Sequence, residues 1–406
     1  MSEETKKAPA IRFQGFTDDW EQRKLGDVGS VVMNRRIFKE QTTEKGDIPF
    51  YKIGTFGGKP DAYIPRTLFE EYKSKYPYPE IGDILISASG SIGRTVEYTG
   101  KEEYFQDSNI VWVRHEGRID NKFLKQFYSI VEWKGLEGST IKRLYNKSIL
   151  DTTINLPSLE EQREIGVFFQ QVDDTIALHQ RKLTLLEQLK QTYLQVMFPQ
   201  GQESIPILRF TGHSEPWEQR KLGELISKAI DNRGKTPPTQ EKGIYPLLEV
   251  GSIGGYFPDY SKVSKYVDDD TYNTWFRDHL KENDILFSTV GNTGLATLMD
   301  NFEGATVAQN IVGFRAKESA VPEFLLQMFK LPSNLKKAKS IEMGAVQPSI
   351  KVSQLIHVEY HIPTSKEEQA KIGAFFKRLD DTIALHQKKI AHLKALKSTL
   401  LNKMFI

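Results

Sequence analysis

Pro60-Asp61, followed after nine residues by Glu71-Tyr72-Lys73, has the acids and the lysine of a loose metal-nuclease pattern. Carboxylates so spaced could hold a divalent cation. The related stretch at Pro258-Asp259 has no carboxylate-x-Lys behind it, and Pro-Asp is ordinary turn chemistry, so no metal site is expected here. His179 and His386 could be ligands or a catalytic pair, but no Asp, Glu or Cys accompanies them at ligand spacing on the same face. Polar residues in a helical seam more often fix register. Asp173-Asp174 and Asp380-Asp381 could form a carboxylate site; their place on the flank of that seam predicts an exposed charged face instead. No GxGxxG follows a strand and no GxxxxGK[ST] occurs, which removes dinucleotide and phosphate-cradling ATP sites. The Asn/Asp-Pro-Pro-aromatic tetrapeptide of amino-methyltransferases is absent, since TPPT from Thr236 does not match. No catalytic, cofactor-binding or metal-ligating residue is expected.

What remains is polar loop chemistry. TIKRLYNKS, from Thr140, sets Lys142, Arg143 and Lys147 around an aromatic, and its counterpart AVQPSIKVS carries Gln347 and Lys351. NRRIFK supplies Arg35 and Arg36; DNRGK supplies Arg233 and Lys235. GSIG from Gly90 runs into Arg94, and GNTG from Gly291 contains Asn292; either turn could clamp a backbone or be a plain turn. Arg, Lys, Asn and Gln are the side chains that hold phosphates and read base edges. These eleven positions are the candidate DNA contacts. Net charge is only +2, from 55 basic against 53 acidic residues. A nucleic-acid binder acting alone usually shows a strong basic excess, so either nucleic acid is avoided or a partner supplies the rest of the grip.

These loops belong to a repeat. RFQGFTDDWEQRKLGDV from Arg12 returns as RFTGHSEPWEQRKLGEL from Arg209. GDILISASGSIG from Gly82 returns as NDILFSTVGNTG from Asn283, and NIVWVR from Asn109 as NIVGFR from Asn310. A period near 200 is too long for a solenoid unit and marks a duplicated domain. Preservation is uneven. DDTIALHQ stands unchanged at Asp173 and, 207 residues on, at Asp380; from Ser158 to Gln180, 16 of 23 residues equal their partners in Ser365 to Gln387. The middles keep short strand-like pieces (DILIS, NIVWV, INLP) and one amphipathic helix (FLKQFYSIVEW, FLLQMFKL), while loops such as Arg66 to Pro79 have no recognisable counterpart. A segment kept twice does one task twice. A segment that diverges on a kept framework meets two targets.

Each copy ends in a long helix. Ile165, Phe169, Val172, Ile176, His179, Leu183, Leu186, Tyr193 and Met197 form a heptad seam, with Lys190 in a gap. Ile372, Phe376, Leu379, Ile383, His386, Ile390, Leu393, Leu400 and Met404 repeat it, with Lys397 in the matching gap. That is a coiled-coil signature, and about 38 residues at about 1.5 Å each make roughly 57 Å. Because a short linker follows the first helix, and domain termini usually lie close together, the two helices are expected to run antiparallel. The expected fold is mixed α/β: two duplicated domains, 12–157 and 209–364, joined by helices 158–198 and 365–406 with linker 199–208, about a pseudo-two-fold axis.

The chain has 406 residues, 39% hydrophobic and 27% charged, and no cysteine. Neither a disulfide framework nor a thiolate metal site is possible. The polar start MSEETKKAPAIRF lacks a signal-peptide run, and no stretch approaches the roughly 18 apolar residues of a membrane span. A cytoplasmic protein with no membrane partner is expected.

WEQRKLGD and WEQRKLGE, GDILIS with its following Gly-rich turn, and LPSLEEQREIGVFFQQVDDTIALHQRKL with IPTSKEEQAKIGAFFKRLDDTIALHQKKI together resemble the specificity subunit of Type I restriction–modification systems, over nearly the whole chain. The resemblance implies two target recognition domains, each reading one half of a split double-stranded DNA site with a fixed spacer. It implies helices that serve as spacer and as docking surface for two adenine methyltransferase subunits, with restriction/translocase subunits in the full complex. S-adenosylmethionine, and ATP with Mg for restriction, would be used by those partners and not by this chain. Two other readings stand beside it: a coiled-coil scaffold with ligand-binding lobes, and a fragment of a fused restriction–modification enzyme.

Overall fold

The computed structural model describes residues 8–135, 142–230, 235–276, 278–344 and 346–406. The elements run β1 (Glu21–Lys24), α1 (Leu25–Val28), β2 (Ser30–Val32), β3 (Ile48–Tyr51), β4 (Ala62–Ile64), α2 (Arg66–Lys75), β5 (Ile84–Ser87), β6 (Thr95–Glu97), β7 (Tyr104–Phe105), β8 (Ile110–Arg114), α3 (Asn121–Ile130), α4 (Asn146–Leu150), β9 (Thr153–Leu156) and the long α5 (Leu159–Val196). The second copy follows as β10 (Glu218–Lys221), α6 (Leu222–Leu225), β11 (Ile226–Ile230), β12 (Tyr245–Leu248), β13 (Tyr266–Val267), α7 (Asp269–Thr274), β14 (Ile285–Ser288), β15 (Ala296–Leu298), β16 (Thr306–Val307), β17 (Ile311–Ala316), α8 (Pro322–Lys330), α9 (Pro332–Lys339), α10 (Val352–Leu355), β18 (Glu359–Ile362) and the long α11 (Lys366–Met404).

The sheets repeat strand for strand. The first lobe has orders β2-β8-β5-β6, β4-β3-β7 and β1-β9; the second has β11-β17-β14-β15, β13-β12-β16 and β10-β18. The fold is mixed α/β and duplicated. In each four-stranded sheet the central antiparallel pair is an apolar run, Ile84–Ser87 on Ile110–Arg114 and Ile285–Ser288 on Ile311–Ala316. Such strands are buried on both faces, which is why they read as continuous hydrophobic pieces rather than as alternating ones. The segment Arg66–Pro79, expected as an unmatched loop, instead holds α2, and α7 takes the same place after β13. Its sequence hides this, because α2 fully buries only Phe69, with Leu68 and Tyr72 packed beside it, and is polar at its remaining positions.

The chain forms two compact units: the chain up to His179 with Lys389–Ile406, and Gln180–Lys388. Each unit therefore contains one lobe, the start of that lobe's own long helix and the end of the other. The lobe helix is seated on its long helix at a glycine. A Cβ at Gly166 would stand 2.8 Å from Asp120 Oδ1 and 2.9 Å from Phe123 N; one at Gly373 would stand 2.8 Å from Glu323 Cβ and 3.0 Å from Phe324 N. Beside it a glutamine accepts from the lobe backbone, Asp120 N to Gln162 Oε1 and Val321 N to Gln369 Oε1, both at 2.9 Å.

The returning helix end completes each core. In the first unit Phe405 stacks on Phe123 at 4.9 Å and meets Trp20 edge-on at 6.1 Å. In the second, Phe198 stacks on Phe324 at 5.5 Å and meets Trp217 edge-on at 5.6 Å. Arg12 and Arg209 each grip a buried glutamate bidentately, Glu161 at 2.7 Å and Glu368 at 2.6 and 2.8 Å.

Of the predicted seam, Ile165, Phe169, Leu183, Met197, Ile372, Phe376, Ile390 and Met404 are buried. Val172, Ile176, His179, Leu186, Tyr193, Leu379, Ile383, His386, Leu393 and Leu400 are half-buried. The seam pattern misses Leu194 and Leu401, both buried, because near its end each helix also feeds a lobe core. The expectation of an exposed flank at Asp173 and Asp380 is wrong. Within the first unit Asp173 takes Lys397 Nζ at 2.7 and 2.8 Å and Gln126 Nε2 at 3.3 Å. Within the second, Asp380 takes Lys190 Nζ at 2.6 Å and Gln327 Nε2 at 3.2 Å. The lysines that interrupt each seam meet these acids, and inside each unit the helix segments run antiparallel: Phe169 meets Phe405 and Asp173 meets Lys397 in the first, while Lys190 meets Asp380 and Phe198 meets Phe376 in the second. Asp174 and Asp381 do lie exposed. Among the described residues no helix is long and apolar enough to cross a membrane, and no group of three potential ligands could hold a metal ion.

Candidate nucleic-acid interface

Three segments meet at one end of each four-stranded sheet, and the backbone joins them identically. In the first lobe Ala88 N donates to Asn109 O at 2.7 Å and Leu144 N donates to Ala88 O at 2.8 Å. In the second, Thr289 N donates to Asn310 O and Ile350 N to Thr289 O, both at 2.8 Å. The turn after the strand, the head of β8 or β17, and the polar loop before α4 or α10 are thus held side by side. The pairing also corrects the sequence match of the polar loops by one residue: Leu144 answers to Ile350, so Arg143 answers to Ser349 and Tyr145 to Lys351.

The Gly-rich turn is itself pinned. Ser87 Oγ donates to Ser91 O and accepts from Arg94 N; Ser288 Oγ donates to Asn292 O at 2.6 Å and accepts from Leu295 N at 2.8 Å. A serine at the strand end fixes the loop in both lobes. In the first lobe the turn around Gly57 closes on it, since a Cβ there, at φ +69°, would stand 2.9 Å from Val96 Cγ2 and 3.2 Å from Arg94 Nη2. Only a glycine allows that approach.

Of the first lobe's candidates, Arg143 and Arg94 belong to this junction and Arg36 lies beside it. Arg143 Nη2 donates to Asn109 Oδ1 at 3.2 Å, and Ser89 Oγ donates to the same oxygen at 2.7 Å. Arg36 pairs with Asp107 at 3.1 Å, two residues from Asn109. Arg35 lies over the Tyr76 ring at 5.2 Å. Lys142 and Arg94 are exposed. Lys147 is not part of the group: it borders a cavity with Glu132 and Asp151 on the other side of α4.

In the second lobe Asn292, Gln347, Lys351 and Lys235 are all exposed, while Arg233 lies outside the described residues. Gln347 belongs to a loop closed by the Met343–Ser349 bridge, with Gly291 N donating to Pro348 O at 2.9 Å and Val346 at its fully exposed tip. Thr293 Oγ1 donates to Glu342 and holds the loop base. Asn310 Oδ1 is buried and has no hydrogen-bond donor among the described residues, because Val290 and Ser349 stand where the first lobe has Ser89 and Arg143. Sequence reasoning missed Asn109, Ser89 and Asn310. The signal was present, since Asn opens NIVWVR and NIVGFR alike, but it reads there as a strand boundary.

The family model of the Type I restriction modification DNA specificity domain matches this chain twice, at residues 17–188 and 214–395, well over half its length. A Haemophilus influenzae protein named as a type I restriction enzyme specificity subunit is 59% identical over 143 residues, which is 35% of this chain and 37% of that one. The MjaX specificity subunit of Methanocaldococcus jannaschii is 25% identical over 417 residues, covering 95% of this chain and 92% of its own. In fold, the chain is similar to the crystal structure of a Type I system S subunit from M. genitalium, with a TM-score of 0.66 at 15% identity, over 98% of this chain and 99% of that one. A chain from a structure of type I restriction–modification complex assembly gives a TM-score of 0.52 at 18% identity, over 97% and 99%.

Proposed function

This chain belongs to the Type I restriction–modification DNA specificity family, and from that premise we propose that its lobes read the two halves of one split, asymmetric double-stranded site while its long helices dock two adenine methyltransferase subunits. It is the non-catalytic, DNA-specifying member of such a system. In this reading the partners bring S-adenosylmethionine for methylation, and ATP with Mg where restriction subunits join.

The observation that carries the proposal is a contrast within the duplication. At the sheet ends the backbone frame is the same twice and the polar side chains differ: Arg94, Lys142 and Arg143 in one lobe, Asn292, Gln347 and Lys351 in the other. Two readers on one frame fit two different half-sites. On the long helices the opposite holds. Asp174, Ala177 and Leu178 are exposed and return unchanged as Asp381, Ala384 and Leu385, also exposed. Packing between the helices does not require these residues, and Leu178 is 51% and Leu385 64% exposed. The same partner bound twice would keep them.

The test replaces residues 209–364 by the matching segment of a relative, in cells that supply the methyltransferase, and reads the methylated motif by methylome sequencing. One half of the motif should change and the other stay. Both halves changing together, or a one-part motif, would overturn the two-reader assignment.

A further inference from the structure

Of the exposed cations around the first lobe's sheet end, Arg143 is tethered at a side-chain junction built by three segments. The Asn109 side-chain oxygen takes one N–H of its guanidinium at 3.2 Å and the Ser89 hydroxyl at 2.7 Å. Ser89 and Arg143 are also bridged through their backbones, so the tether rests on fixed main chain at both ends. An arginine held by one nitrogen keeps most of its donors free, in a planar fork of known direction. A phosphate contact does not need such a fixed edge, since a point charge on a flexible stem will do. Lys142, next to it and exposed, fits that looser task.

We infer that Arg143 is a base-reading side chain of the first lobe, directed at a guanine in the major groove, and that Asn109 is the positioning residue that aims it. This rests on the proposal that the lobes read half-sites. Guanine is the base whose major-groove edge offers two acceptors, O6 and N7, to one guanidinium fork. The second lobe has lost this device. Its Asn310 is retained, but Val290 offers no donor, the Ser349 hydroxyl donates to Met343 O instead, and the Asn310 side-chain oxygen is left without a donor among the described residues. Among the described residues no arginine is held at Asn310, so the second half-site is read by other groups than this one.

The experiment uses the full chain with its methyltransferase partner and reads the methylated motif for the wild type, R143K, N109A and N109D. The wild type should methylate a two-part motif with a guanine in the half assigned to the first lobe by the segment exchange. R143K keeps the charge and loses the fork, so that guanine should relax to any base while the other half stays strict. N109A should relax the same position while DNA affinity, measured at several salt concentrations, falls less than about threefold. N109D still accepts from Arg143 and Ser89 and should keep the guanine. An unchanged motif in R143K, with only a weaker salt dependence, would make Arg143 a phosphate contact and overturn the inference alone. Relaxation by N109D equal to that by N109A would remove the positioning role. A wild-type complex that methylates no two-part motif would overturn the two-reader proposal and this inference with it.

Discussion

Asp83 and Arg114 in the first lobe stand where the second has Asp284 and Arg315, each pair displaced by 201 residues. Both aspartates accept from the backbone of the turn before their strand, from Glu80 N at 2.8 Å and from Lys281 N at 2.9 Å. There the likeness stops. Arg315 clasps Asp284 with two bonds of 2.8 Å and also reaches Asp278. Arg114 is exposed and makes no ion pair with Asp83, whose carboxyl burial pushes above its ordinary range against the help of Glu80 N. The same two residue types form a tie in one lobe and a lone half-buried acid in the other. Duplication preserves the frame at the level of backbone bonds, and each lobe then settles its own side-chain accounts.

That comparison can be broken most forcefully at the core. Phe198→Ala should destabilise the second unit by about 3–5 kcal/mol, and Phe405→Ala the first by about 2–3 kcal/mol, because Phe405 keeps some exposure where Phe198 has almost none. Trp217 and Trp20 pack on these rings and report each unit by fluorescence during urea unfolding. A single transition shared by both tryptophans in both variants would mean the units do not hold separate cores.

The aspartates provide a sharper, smaller test, because the two lobes should respond with opposite signs. Asp284→Asn removes the carboxylate from a buried pair and should cost about 2–3 kcal/mol. Asp83→Asn relieves a desolvated acid while its amide oxygen still accepts from Glu80 N, and should be neutral or stabilising by a few tenths of a kcal/mol at pH 7. Equal losses would show that Asp83 is tied after all.

The smallest effect is in pH. Lys330 is pulled down to about 8 from 10.5, first by burial and then by Lys190, with Asp380 opposing; the first lobe has Ser129 at this position. Between about pH 8 and 10.5 the unfolded chain holds a proton that the folded one has released. The second unit should therefore gain stability as pH rises through that window and lose it again as pH falls to 8, by about 1–2 kcal/mol. In K330S the difference should vanish. A wild-type midpoint that tracks K330S across the window would show that Lys330 keeps its proton when folded.

Much of this architecture was legible before any coordinates. The heptad seam, the repeat and the buried strand pairs are periodic features that sequence states directly, and they placed both long helices to within two residues at each end. Helix α2 was not legible, because its apolar face, Leu68, Phe69 and Tyr72, spans little more than one turn of an otherwise charged ten-residue segment. Lys190 with Asp380 and Lys397 with Asp173 were seen as gaps and as a charged flank, not as pairs. Partners 190 and 224 residues apart leave no local mark. The candidate interface was half legible. Composition picked out Arg143 and Arg94, but the junction at Asn109 depends on three segments meeting, and one of its members reads as nothing more than a strand start.

The returning helix end has a consequence for how the molecule is made. The second unit is one unbroken stretch of chain, whereas the first needs Leu401, Met404 and Phe405 in its core although its last strand ends at Leu156. A ribosome adding about 5–20 residues per second would leave that earlier lobe without its closing aromatic for roughly 10–50 s. Through that interval Trp20 and Phe123 present an uncovered apolar surface on a nascent protein. The lobe made first is thus finished last, and chaperone demand during synthesis should fall on it rather than on its twin.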